Sequence, residues 1–117
     1  MRVPPGVHVE LERLYTAVED RKFTEAERIL QRIEEAVGGF GEEGRGYVDA
    51  LRGIISARRS GDPQALVNRM ERSKLRKYIK EFGALSKDSL KTLYERGFYR
   101  AWRDYLKAVS KLGLGHV

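Results

Sequence analysis

Five basic side chains, Arg96, Arg100, Arg103, Lys107 and Lys111, recur at spacings of 4, 3, 4 and 4 near the end of this 117-residue chain. At about 100° per residue, those spacings place all five on one face of a helix. Asp104 is the only acid between positions 96 and 111. Arg69, Arg72, Arg76 and Lys80 form a second row, with Lys77 at its edge, while Glu71 and Glu81 project elsewhere. A guanidinium offers two parallel N–H donors that match a phosphate. A row of such groups suits a polyanionic backbone better than a single small anion. Seven of the 11 aromatic residues share this half: Tyr78, Phe82, Tyr94, Phe98, Tyr99, Trp102 and Tyr105. Tyr99 and Trp102 fall at the margins of the last apolar stripe, where partial exposure would let them stack on unpaired bases. The chemistry implied is capture of an anionic partner, with DNA or RNA foremost.

A face of one sign has rival explanations. An acidic protein partner would suit it, as would an acidic patch within the same fold. An anionic membrane surface fits less well, because the last apolar stripe is needed for a core. The net charge of +6 is unevenly spread. Residues 1–62 hold ten basic and twelve acidic side chains, a net of −2, and residues 63–117 hold thirteen and five, a net of +8. Such asymmetry points to an anionic partner for the basic half or to attraction between the halves.

Other chemistry finds little support. There is no cysteine, which excludes disulfides and thiolate sites. His8 and His116 are far apart and lack ligand-spaced partners, so no metal is expected. The pairs Glu34–Glu35 and Glu42–Glu43 flank a glycine-rich stretch, where solvation would keep them ordinary carboxylates. The serines have no neighbouring histidine base. The reading is a non-catalytic protein without cofactor. No apolar run approaches the roughly 18 residues of a membrane span, and the N-terminus lacks the apolar stretch of a secretory signal, so a cytoplasmic protein is expected. Arginine outnumbers lysine 15 to 8 and only three residues are Asn or Gln, a thermophile habit that GC-rich coding would also produce.

The elements that must position these residues read as helices throughout. Leu11, Leu14, Tyr15 and Val18 mark a first stripe between Val7 and Arg21. Thr24 to Glu27 has the form of a capping box opening a second helix, with Ala26, Ile29, Leu30, Ile33 and Val37 on one face and Gly38 at its end. Five glycines in residues 38–46 predict the longest flexible loop. Without a preceding strand or a following Lys-Ser/Thr, it is not a phosphate-cradling loop. Tyr47, Leu51, Ile54 and Ile55 form a third stripe ending at Ser60–Gly61. Asp62–Pro63 predicts the start of a fourth helix running to about Phe82, with an apolar face that shifts midway and so implies a kink or two packing partners. Gly83 ends it. Ser86 is expected to cap the fifth helix, with Leu85 stapled on Leu90, and the stripe Leu90, Leu93, Tyr94, Phe98, Ala101, Tyr105, Val109 and Leu112 runs to Gly113. Gly97 on that stripe either admits a close neighbour or divides the helix. The fold class is all-α: a five-helix bundle in one domain, 1–117, with helical hairpins over 11–72, basic helices over 63–112 and a frayed tail over 113–117.

The segment from Lys22 to Leu30 resembles the turn and second helix of a tetratricopeptide hairpin, with Phe23, Ala26 and Leu30 in the places of its aromatic, small and apolar residues. A second copy runs through Gly53 and Ala65, at a period of 39 rather than about 34. Leu14 stands where that family has glycine, Arg69 stands at a large apolar place, and the signature tryptophan is missing. The resemblance covers residues 11–72 and implies a hairpin-repeat-like N-terminal part with a protein-binding groove. An adaptor of that kind would use Leu14, Phe23 and Tyr47 if these were exposed.

Overall fold

Pro4 and Pro5 set the backbone for the first helix, because the ring fixes φ near the helical value where no N–H is needed. In a computed structural model that describes residues 1–112, this helix, α1, spans Pro5–Glu19 and is followed by α2, Phe23–Val37. Both bury the expected stripes: Leu11, Leu14 and Val18 from α1, and Ala26, Ile29, Leu30, Ile33 and Val37 from α2. The link is tighter than a capping box allows. Arg21 takes a left-handed φ of 57°. The Lys22 and Arg21 amides then donate to the Ala17 and Val18 carbonyls at 2.8 and 3.1 Å. The chain enters α2 already at Phe23, with no side-chain cap. Thr24 therefore lies inside the first turn, and the expected Thr24–Glu27 capping box does not form.

The glycine segment is not a loop. After one 3-10 turn over Gly38–Phe40, α3 runs over Gly41–Ser60 and buries Gly44 and Gly46 together with Tyr47, Leu51, Ile54 and Ile55. These glycines serve close approach. A Cβ on Gly46 would stand 2.9 Å from the Tyr94 carbonyl carbon, and one on Gly97 would stand 2.7 Å from the Glu43 carbonyl carbon. Each glycine thus meets the backbone of the opposite helix. Gly97 admits a neighbour and does not divide its own helix: α6 is continuous over Leu93–Lys111. At the far end of α3, Gly61 closes the helix at φ 70°.

The expected fourth helix is broken. Only one turn, α4, forms over Leu66–Arg69, then Met70 and Glu71 are extended, and a 3-10 turn over Arg72–Lys74 leads into α5, Leu75–Ser86. Asp62 makes a local turn, accepting the Gln64 amide at 2.9 Å, and does not cap a long helix. Asn68 ties the strap to the end of α3: its Nδ2 donates to the Ala57 and Asp62 carbonyls at 2.9 and 2.8 Å. The apolar face explains the break. Val67 and Met70 look toward α1 and α6 beneath the strap, whereas Tyr78, Ile79 and Phe82 lie along α6, and one straight helix cannot present both.

Two further boundaries differ from expectation. Gly83 lies within α5, and Ser86 finishes that helix by donating to the Gly83 carbonyl at 2.7 Å. The cap of α6 is Thr92, whose Oγ1 accepts the Glu95 amide at 3.1 Å while Glu95 returns a bond to the Thr92 amide at 3.0 Å. Leu90 is 92% exposed, so the staple with Leu85 is not made. The bundle is all-α, with no strand among the described residues. Its core lies where α3 and α6 cross and α1 and α2 close over them. The expected tail, residues 113–117, lies outside the described residues.

The glycine contacts predict opposite effects of one added methyl group. Gly46→Ala and Gly97→Ala should each lower stability in urea by about 1–3 kcal/mol, since the backbones must separate. Gly53→Ala, on the same α3 but with open space around its Cα, should raise it by roughly 0.5–1 kcal/mol. At the α6 cap, the Thr92 backbone bond holds the Glu95 carboxyl below its ordinary value. Because that value is depressed, the cap stabilises above the ordinary carboxylate range and is lost as pH falls through the depressed value. The urea midpoint of Glu95→Gln, which replaces the carboxylate by a neutral amide, should therefore lie below wild type at neutral pH and converge on it in acid, where the Glu95 carboxyl is itself neutral.

Candidate nucleic-acid interface

The row on α6 is divided by what it faces. Asp104 is buried to 2% exposure, on the side of α6 that meets α3. A carboxylate there must be paired and hydrogen-bonded. Arg100, one turn earlier, contributes Nε at 3.2 Å, and Arg103 contributes Nη1 at 3.0 Å. Tyr47 on α3 donates its hydroxyl to Asp104 Oδ2 at 2.9 Å. Burial, then the Asp104 charge and hydrogen bond, push the Tyr47 phenol well above its usual value, so it remains a donor. Arg100 and Arg103 are each about a quarter exposed, with side-chain exposures of 27% and 26%. Arg103 also lays its aliphatic stem over Gly83 of α5, where a Cβ would stand 3.4 Å from its Cδ. These two cations are therefore part of the packing.

The remaining members differ among themselves. Lys111 pairs with Glu12 of α1 at 2.9 Å, the one ion pair among the described residues in which the acidic half neutralises this row. Arg96 is half-buried, with its Nε sealed from solvent and without a hydrogen bond. Lys107 is exposed, and no ion pair holds it among the described residues. The second row is split by the broken helix. Arg69 is exposed on α4, Arg72 lies in the turn before α5 beside a groove, and Arg76, Lys77 and Lys80 share the outer face of α5. That outer trio is exposed, and no ion pair within the described residues engages it. Glu81, at the margin, is the only acid of α5.

No residue of α5 is fully buried. Aromatic rings attach it. Phe82 stacks on Tyr78, Tyr99 and Trp102 at centroid distances of 6.2, 6.0 and 5.4 Å. Tyr99 continues edge-on to Phe98 at 6.0 Å, and Phe98 continues to Tyr94 at 6.4 Å. All six rings are half-exposed, so a ridge of π-surface follows the α5–α6 seam beside the α5 cations. Arg45 covers the end of the ridge, 5.5 Å from the Tyr94 centroid. The Tyr94 hydroxyl bonds to Asp49 at 2.7 Å, a bond that raises its phenol value. Sequence spacing placed Tyr99 and Trp102 at the margins of α6; the partner ring, Phe82, was the part it could not place.

Elsewhere the chemistry is sparse. Among the described residues no three His, Asp or Glu side chains gather closely enough to hold a metal ion, and no helix is long and apolar enough to cross a membrane. Glu43 accepts the Met1 ammonium at 3.1 Å. Leu14 and Tyr47 are fully buried and Phe23 lies between the Arg21 and Arg59 guanidiniums, so these three pack the fold. Removing Asp104 (Asp104→Ala) would leave two half-buried guanidiniums without their anion and should cost about 3–5 kcal/mol. Tyr47→Phe should cost about 1–2 kcal/mol, and a double-mutant cycle by urea unfolding should show that the two losses do not add. No protein-family model, no curated protein and no solved structure matches this chain.

Proposed function

We propose that this protein is a non-catalytic nucleic-acid-binding module that grips phosphates with the outer face of α5. The observation that carries this reading is the exposed trio Arg76, Lys77 and Lys80, free of ion pairs among the described residues and adjoining the half-exposed aromatic ridge. Lys107 extends the cationic surface, because it follows Arg103 by one turn of α6 and Arg103 crosses α5 at Gly83. Arg69 adds charge on the strap side. The grip is independent of base sequence, since point charges on long stems read the backbone and carry no donor pattern for base edges. Arg100 and Arg103 serve by holding α6 in place; reversing them to Glu would unfold the Asp104 cluster rather than test binding.

Fluorescence anisotropy with labelled single- and double-stranded DNA and RNA over a salt series tests the reading. Three phosphates engaged by the trio give a log–log slope of about −3 on duplex DNA, at about −0.9 per phosphate. The triple variant Arg76→Glu, Lys77→Glu, Lys80→Glu should lose binding while keeping its urea midpoint, because all three side chains point to solvent. Absence of binding to all four ligands at low salt would sink the proposal.

A further inference from the structure

A second place in the molecule has convergent donors that the fold leaves unused. Between the strap and the α1–α6 pair runs a groove of about 370 Å³, at the lower end of the roughly 300–1,000 Å³ of small-ligand sites. Its apolar surface comes from Val67, Met70 and Leu75 on one side and Leu106 and Val109 on the other. Tyr15 and Tyr105 form its wall, meeting edge-on at 6.1 Å. They are 8% and 2% exposed, yet neither hydroxyl hydrogen-bonds to a described residue. Arg96 Nε is the only side-chain polar atom among the described residues that is both sealed from solvent and unpartnered. Both phenol oxygens therefore reach open space, and the groove is the space they line.

The polarity of the wall decides what would complement it. Burial raises both phenols, so each keeps its proton and can donate. Arg58 stands at the rim, fixed by Glu19 at 2.8 Å and by Asn68 Oδ1 at 2.9 Å. Glu19 is engaged by that pair, and the Asn68 amide nitrogen is spent on two backbone carbonyls. Glu71 and Arg72 also line the groove, Glu71 paired with Lys74 at 3.5 Å, so the wall offers two hydroxyl donors flanked by the Arg58 and Arg72 guanidiniums over an apolar floor. We propose that this groove binds a small organic carboxylate with an apolar body: the two carboxylate oxygens take the Tyr15 and Tyr105 hydroxyls, and the body lies on Met70, Leu75 and Val109. The site is distinct from the α5 cations and does not depend on nucleic-acid binding.

Phenylacetate and its neutral isostere phenylacetamide are the probes, titrated to about 10 mM against isotope-labelled protein, since so few atoms give a dissociation constant near 1 mM. Amide shifts at residues 67–75 and 105–109 should saturate with phenylacetate, and phenylacetamide should bind roughly ten-fold more weakly because charge-assisted bonds are the stronger ones. The double variant Tyr15→Phe, Tyr105→Phe should weaken phenylacetate by roughly ten-fold or more. Val67→Trp, on the half-exposed strap, should block the groove outright and serves if the double variant does not fold. No saturation, equal affinity for acid and amide, or binding that survives Val67→Trp would each overturn the assignment.

Discussion

Everything in this bundle depends on how closely α3 and α6 cross. Gly46 meets the backbone at Tyr94, and Gly97 meets the backbone at Glu43, with no side chain between. Glycine in a helix interior is unfavourable by about 1 kcal/mol relative to alanine. The fold accepts that at two facing positions because the approach brings Tyr47 within 2.9 Å of Asp104. With helix axes farther apart, a phenol on α3 would not reach a carboxylate on α6, and Asp104 would be a buried charge without its neutral donor. The crossing therefore makes the polar cluster possible, and the cluster then fixes the rotation of α6 about its own axis.

That rotation determines which cations face water. Arg100 and Arg103 turn inward to Asp104, Lys111 reaches Glu12, and Lys107 is left outside. A face of one sign on paper becomes, in the folded chain, a mixed set of structural and free charges. Among the described residues, three cations without an ion pair, Arg76, Lys77 and Lys80, lie together on α5, a helix with no fully buried residue. Ring stacking on Phe82 and the two connectors hold α5 in place. Few buried contacts and an irregular strap are the marks of a segment with low local stability. The basic surface and the strap side of the groove thus lie on elements without a fully buried residue, while the glycine crossing brings two helix backbones into contact.

Much of the framework was legible. The stripes on α1, α2 and α3 reappear as the buried set, because helical spacing of Leu, Ile and Val reports a core-facing side whatever that side meets. The errors share a cause. Residues 38–46 read as a loop because glycine lowers helix propensity, and the compensating contact lies some fifty residues away at Tyr94. Thr24 carried a capping pattern, but the left-handed turn at Arg21 starts α2 before it. Thr92–Glu95 carries the same pattern, and there the capping box forms because no earlier turn starts the helix. For the proposed site, Arg76, Lys77 and Lys80 were visible as basic positions, but their freedom from partners was not, and neither was the ring ladder joining α5 to α6.

By itself the sequence determined the all-α class, the identity of most core positions and the surplus of positive charge in the second half. These follow from composition and from periodicities within single helices, which are local quantities. Tertiary structure alone decided that glycines serve contact rather than flexibility, that the long basic segment breaks at Met70–Glu71, and that Asp104 takes two cations out of the surface. It also decided that Tyr15 and Tyr105 share one groove. Each of these depends on the distance between groups far apart in the chain, and helical spacing contains no information about that distance.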